Sequence, residues 1–214
     1  TTNDSLAFVK MNAWILAYSS NTGSNYTIKI EKGTYKTTQQ LVISRNDVNI
    51  KGEGIESVIL YTPTSASSAI KIQKAITTNV IFNTYISDFR IAIDTTYSNV
   101  GIEAIDFSEL TISNVDIDGA GNNVKGIYLK GREAAKVFDI HVRTPNPIVL
   151  GKNPNSNISC NGFSFSDTYL YASPTKSCML IEDNVDVTGL STSGHNLWVH
   201  GDYGFKWVNT TSTN

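Results

Sequence analysis

Cysteine is nearly absent: the 214 residues hold only Cys160 and Cys178, neither in a CxxC pair nor near a histidine at metal-ligand spacing. This argues against a zinc ribbon, a thioredoxin-like site and a disulfide scaffold, and both thiols are expected to be small buried core groups. Charge is also sparse, at 17% of residues with a net of −2, and Lys and Arg are scattered rather than striped. No nucleic-acid partner is therefore expected. Long apolar runs are missing too. The densest, AWILAY from Ala13 to Tyr18, falls far short of the roughly 20 residues of a membrane span, so no membrane insertion is expected. The chain opens TTND without Met and closes NTTSTN, which reads as a mature form or an excised piece of a longer chain. Its four N-x-S/T sequons carry no weight in a sequence this rich in Asn, Ser and Thr.

What is present is repetition. Short alternating strands recur through ISDFRIAID, ISNVDIDG, VFDIHVRT, FSDTYLYAS and GHNLWVHG. Set on their first inward residue they align Phe89, Val115, Ile140, Thr168 and Leu197, at steps of 25 to 29 residues. Two positions on stand Ile91, Ile117, Val142, Leu170 and Val199. Thr168 is the weak member, and its rung has room to shift by one. NDVNIKG places Val48 and Ile50 in the same frame, with an insertion in that turn.

A second series lies between these strands, opening at Ala69, Gly101, Gly126, Pro147, Cys178 and Gly204. Small residues and proline suit strands leaving tight corners. Each repeat holds at least two short strands and no helix. Similarity between strands one full turn apart favours a coil over a hairpin meander. The predicted fold is all-β: a right-handed parallel β-helix spanning 26–208 as a single domain, with rungs about 4.8 Å apart. Its open end needs a cover. A capping α-helix within 1–20 is predicted, started by Asn3 or Asp4, with Leu6, Val9, Ala13, Leu16 and Ala17 facing inward.

Period-two alternation then identifies an outward surface. Its middle column reads Arg90, Asp116, His141, Tyr169, Trp198, and the next reads Ala92, Asp118, Arg143, Tyr171, His200. The column before reads Asp88, Asn114, Asp139, Asp167, Asn196. Sugar rings stack on Tyr and Trp, while sugar hydroxyls and acids suit Asp and Arg. Arg90, Arg143, Tyr169, Tyr171, Trp198 and His200 are the candidate glycan-binding residues. Asp116, Asp118 and His141 are the candidate catalytic ones. Asp116 and Asp118 on one strand face lie roughly 7 Å apart, within the range of inverting glycosidases. His141 would tune Asp116 or act as base, and Arg143 would hold Asp118 ionised. In a lyase, His141 or Arg143 would instead remove the proton beside a uronate. Tyr169 and Trp198 serve a subunit interface or a solvated face equally well, and Asp118 before Gly119 is first of all a turn residue. Asp94, Glu103 and Asp106 show no calcium-loop spacing, so no metal and no cofactor is expected.

The start of the chain carries a resemblance. Asp4-Ser5-Leu6-Ala7-Phe8, then IKIEKGTY and LVISRNDVNIKGEG with Gly52 and Gly54, resemble the pectate-lyase-like right-handed β-helix superfamily. More narrowly they resemble the module of phage tailspikes and appendage proteins, although Lys32 and Gly33 stand where a Pro-containing turn is usual. The resemblance implies a polysaccharide depolymerase, hydrolase or lyase, on a bacterial surface glycan. It also implies a homotrimer and an extracellular or virion location. A non-catalytic shaft or adhesion module and a secreted pectate-lyase-like enzyme are the alternatives. VRTPNPIVLG has the Arg-x-Pro of pectate lyases without their second Arg and His. Gly194-His195-Asn196 resembles polygalacturonase Gly-His-Gly but lacks its aspartate partners.

Overall fold

The computed structural model describes residues 3–17, 25–74, 80–94, 97–155, 160–182, 185, 187–192, 198–200 and 203–208. After helix α1 (Ser5–Ala17) the chain winds a parallel β-solenoid of about six turns. The first coil runs β1 (Tyr26–Ile30), β2 (Gly33–Thr37), β3 (Leu41–Ile43), and the second β4 (Val48–Gly52), β5 (Ser57–Tyr61), β6 (Ser68–Ile72). The next four alternate a long strand with a short one. They are β7 (Ile81–Ile93) with β8 (Val100–Ile105), and β9 (Phe107–Gly119) with β10 (Lys125–Lys130). Then come β11 (Glu133–Arg143) with β12 (Asn146–Leu150), and β13 (Ser164–Tyr171) with β14 (Ser177–Ile181). Six turns on from the first coil, a closing layer holds β15 (Ser191–Thr192), β16 (Trp198–His200) and β17 (Tyr203–Trp207). Every strand pairing is parallel. No described helix is long and apolar enough to cross a membrane.

Both predicted repeats exist. Phe89 pairs with Val115, Val115 with Ile140, and Ile140 with Thr168, so Thr168 is unshifted. Leu197 lies outside the described residues, but Tyr169 pairs with Trp198 and Leu170 with Val199 in the same register. In the second sheet Ile70, Ile102, Ile127, Ile148, Met179 and Phe205 form one column, each following an opening residue of the second series. Stacked Ile and Val fill the interior because a β-branched side chain presents one stiff shape to an identical neighbour.

Val48 and Ile50 belong to another frame. Ile50 pairs with Ile86, and Ile59 of β5 is the residue that pairs with Ile91. The reason is a corner. In β7 the two halves are joined by the single residue Asp88 at φ 64°, whereas β4 and β5 are separated by a four-residue loop. Asn114, Asp139 and Asp167 bend β9, β11 and β13 in the same left-handed conformation. Asx side chains tolerate that region better than other L-residues, so this column, exposed as expected at Asn114, Asp139 and Asp167, is also a hinge line between faces. Asn114 Nδ2 donates to Asp88 Oδ1 at 2.7 Å along the column; Asn196 lies outside the described residues.

The helix covers the first coil with the opposite side to the one expected. Phe8 and Ile15 are buried and Met11 packs on the core, whereas Leu6, Val9, Ala13, Leu16 and Ala17 are exposed. A sheet edge presents unpaired N–H and C=O groups, and an apolar stripe has nothing to give them. Asn12 answers two of them, donating to Gln40 O at 2.7 Å and accepting from Val42 N at 2.8 Å. Ser5 Oγ accepts from Thr38 N, and Asp4 Oδ2 from Lys36 N. Polar positions 5 and 12, with Phe8 and Ile15, set the docking face.

Candidate functional site

The expected surface strip forms in register on the second halves of the long strands. Arg90, Asp116, His141 and Tyr169 stack on successive rungs, as do Ala92, Asp118, Arg143 and Tyr171. Trp198 and His200 continue both columns by their pairing with Tyr169 and Tyr171. The side chain of Trp198 lies outside the described residues, as do His195 and Leu197.

Asp118 is the most constrained member. Its Oδ2 accepts from Arg90 Nε at 2.9 Å and lies 2.7 Å from Arg90 Nη2, and its Oδ1 accepts from Arg143 Nε at 2.5 Å. Two guanidinium groups from the rungs below and above share one carboxylate. Asp118 holds the Arg143 guanidinium above its ordinary range by that bond and by charge. Among the described residues its side-chain bonds go to these two arginines rather than to the Asp-Gly corner. Asp116, one strand alternation away, lies 3.7 Å from His141 Nδ1 and has no guanidinium partner among the described residues. His141 also leans on Tyr169, with ring centroids 5.4 Å apart, and Tyr171 stacks flat on His200 at 4.5 Å. The two tyrosines stay about two-fifths exposed, Tyr169 at 39% and Tyr171 at 41%.

Alongside this strip runs an open cleft of about 510 Å³. Four rungs contribute to it: Ala92 to Asp94, Asp118 to Ala120, Arg143 to Pro145, and Tyr171 with Ser173. Its length is therefore about 14 Å, three rung spacings. No family model, curated protein or solved structure matches this chain. The chemistry of the face has to be read from its own residues.

Two polar clusters were not anticipated as such. On the second sheet, Glu103 accepts from Ser68 Oγ and Lys130 Nζ, while Glu182 accepts from Lys125 Nζ and Tyr128 Oη. Tyr128 lies between Lys125 and Lys130, with their ammonium nitrogens 3.6 and 4.0 Å from its ring centroid. Burial, then the bond to Glu182, pushes its phenol far up. Burial pushes Glu103 upward, but the bonds from Ser68 and Lys130 outweigh it and the group ends below the ordinary range. Gly151 makes this crossing possible: a Cβ there would lie 2.5 Å from Tyr128 Cε2 and 3.0 Å from Glu182 Oε2. Only the strand register, which puts Lys130 and Glu182 in one column over Gly151, could have revealed the cluster.

Asp106 forms the other. Its side chain is 2% exposed and takes donors from Arg132, Asn153 and Asn155. Burial raises its carboxyl, and these partners more than reverse that, leaving it below the usual aspartate value. Asp94, Glu103 and Asp106 thus do not converge, and the described residues contain no group of three metal-ligating side chains. Both cysteines are buried free thiols, Cys160 pushed up to about 12 by burial.

Proposed function

We propose that this solenoid is the polysaccharide-binding body of a phage tailspike or related appendage, holding a bacterial surface glycan against the outward face of β7, β9, β11 and β13. The observation that carries the reading is the cleft running along four rungs beside the strip, lined by Tyr171 and by Asp118 and Arg143 of the clamp that Arg90 completes from outside. A stiff, straight surface with one rung every 4.8 Å or so suits a polymer whose sugars repeat at a similar distance. Tyr169 and Tyr171, continued by Trp198 and His200, supply stacking faces. Arg143, more than half exposed, supplies hydrogen-bond donors.

Within this reading Asp116 and His141 carry any hydrolysis. Asp116 would protonate the departing glycosidic oxygen while water attacks the anomeric carbon, and His141, 3.7 Å from Asp116, would take the water's proton and return it to Asp116. Asp118 keeps the arginines in place. The secreted pectate-lyase-like alternative has less support, because the second Arg and the His that follow that family's Arg-x-Pro are missing after Arg143.

The test is incubation with purified capsular and exopolysaccharides, following new reducing ends and the ultraviolet absorbance of unsaturated uronates. Reducing ends without absorbance, lost in Asp116→Asn, support hydrolysis; absorbance moves the chemistry to a lyase. Absence of both binding and cleavage across the panel would sink the proposal. In that case the exposed Tyr169 and Tyr171 favour a shaft in which neighbouring copies cover them, and a trimer by light scattering that dissociates on Tyr169→Glu would establish it.

A further inference from the structure

The cleft has a chemical character of its own. Apolar and small groups line much of it: Ala92 and Ile93 from one rung, Gly119 and Ala120 from the next, Pro145 from the third and the Tyr171 ring from the fourth. Set into this lining are few polar groups of opposite kind. Arg143 spends its Nε–H on Asp118, and its terminal N–H groups have no partner among the described residues. Asp94, exposed at the far end, has no side-chain partner among the described residues either. Arg90 also bonds Asp118 from outside the lining, so two arginines and two aspartates at this wall nearly cancel.

A uronate or sulfate would be met here by one shared guanidinium against Asp94 and Asp118, so a strongly anionic sugar is poorly matched. A plain neutral hexose would leave the alanine and proline lining facing hydroxyl groups. The substituent that matches is planar, carries one methyl, accepts one hydrogen bond and donates one. Resting on the glycan-binding reading above, we propose that this cleft selects an acetamido sugar, an N-acetylhexosamine residue of the bound polymer. The methyl sits among Ala92, Ala120 and Pro145, the acetamido oxygen accepts from Arg143, its N–H donates to Asp94, and the pyranose ring lies against Tyr171. Burying one methyl and gaining one net hydrogen bond over the hydroxyl it replaces correspond to a preference of roughly tenfold or more over the parent hexose.

The experiment is saturation-transfer NMR and titration with N-acetylglucosamine, N-acetylgalactosamine and N-acetylmannosamine, each beside its parent hexose, and with fucose and rhamnose as methyl-bearing sugars lacking the amide. At least one N-acetylhexosamine is expected to bind roughly tenfold more tightly than its hexose, with the strongest saturation on the acetamido methyl. Ala120→Glu, an exposed change that fills the cleft without touching the core, is expected to abolish that signal while leaving the melting temperature unchanged. Equal binding of hexoses, stronger binding of the 6-deoxy sugars, or a signal that survives Ala120→Glu would overturn the inference. If polysaccharides are retained by the protein but no acetamido preference appears, only this inference falls; if no sugar or polysaccharide binds at all, the glycan-binding reading falls with it.

Discussion

At the scale of single residues, the coil is held in register by polar side chains that reach across rungs. Asp106 is the clearest case, because it is almost wholly buried and three neighbours depend on it. Asp106→Ala leaves Arg132 and two amides without their acceptor and is expected to cost about 3–5 kcal/mol by chemical denaturation. Tyr128 and Gly151 form a coupled pair. Gly151→Ala drives a Cβ into the Tyr128 ring and is expected to cost about 1–3 kcal/mol. In a Tyr128→Ala background the same change should be close to neutral, since the ring it strikes is gone. A double-mutant cycle reads that coupling directly, and equal costs in both backgrounds would reject the contact.

At the scale of elements, the capping helix and the corners decide how coils begin and bend. Asn12→Leu makes α1 more apolar yet removes both partners of the β3 edge, so it is expected to lower stability by about 1–3 kcal/mol. Leu16→Lys, on the side an amphipathic reading would bury, should stay within about 0.5 kcal/mol of the parent. The opposite ranking of those two melting curves would restore the face read from periodicity. At the hinge line, Asp139→Val places a β-branched residue at φ 52° and is expected to cost about 1–3 kcal/mol, whereas Asp139→Gly should be tolerated. Such corners were visible in the sequence as a repeated Asx, but their left-handed backbone was not, because an outward Asp and a hinge Asp have the same spacing.

At the scale of the whole molecule, stability follows from stacking coil on coil, and its pH dependence follows from the carboxylates between them. Asp106 and Glu103 both titrate below their ordinary values in the folded chain. A depressed folded value means the unfolded chain binds the proton first, so their stabilisation is present above the unfolded carboxylate range, roughly pH 4 to 4.5. It is lost progressively as pH falls below that range and through the folded values. The melting temperature is expected to hold between pH 7 and 5 and to fall below about pH 4, with a shallower fall in Asp106→Asn. An unchanged acid slope in that variant would remove Asp106 from the account.

The sequence by itself determined the solenoid, because every coil must bury the same two inward columns and so rewrites them with Ile, Val and Leu at fixed steps. It also determined which outward residues share a column, since period-two alternation follows from the strand backbone alone. Only the tertiary structure decided which of those neighbours bond. The columns already set His141 beside Asp116 and Arg143 beside Asp118, but not that Arg90, in register with Asp116, reaches across to Asp118 instead. The same holds for the Tyr128–Glu182 crossing and the buried side of α1. Each depends on side chains from different coils meeting in space, and a contact between rungs leaves no periodic trace in the chain that forms it.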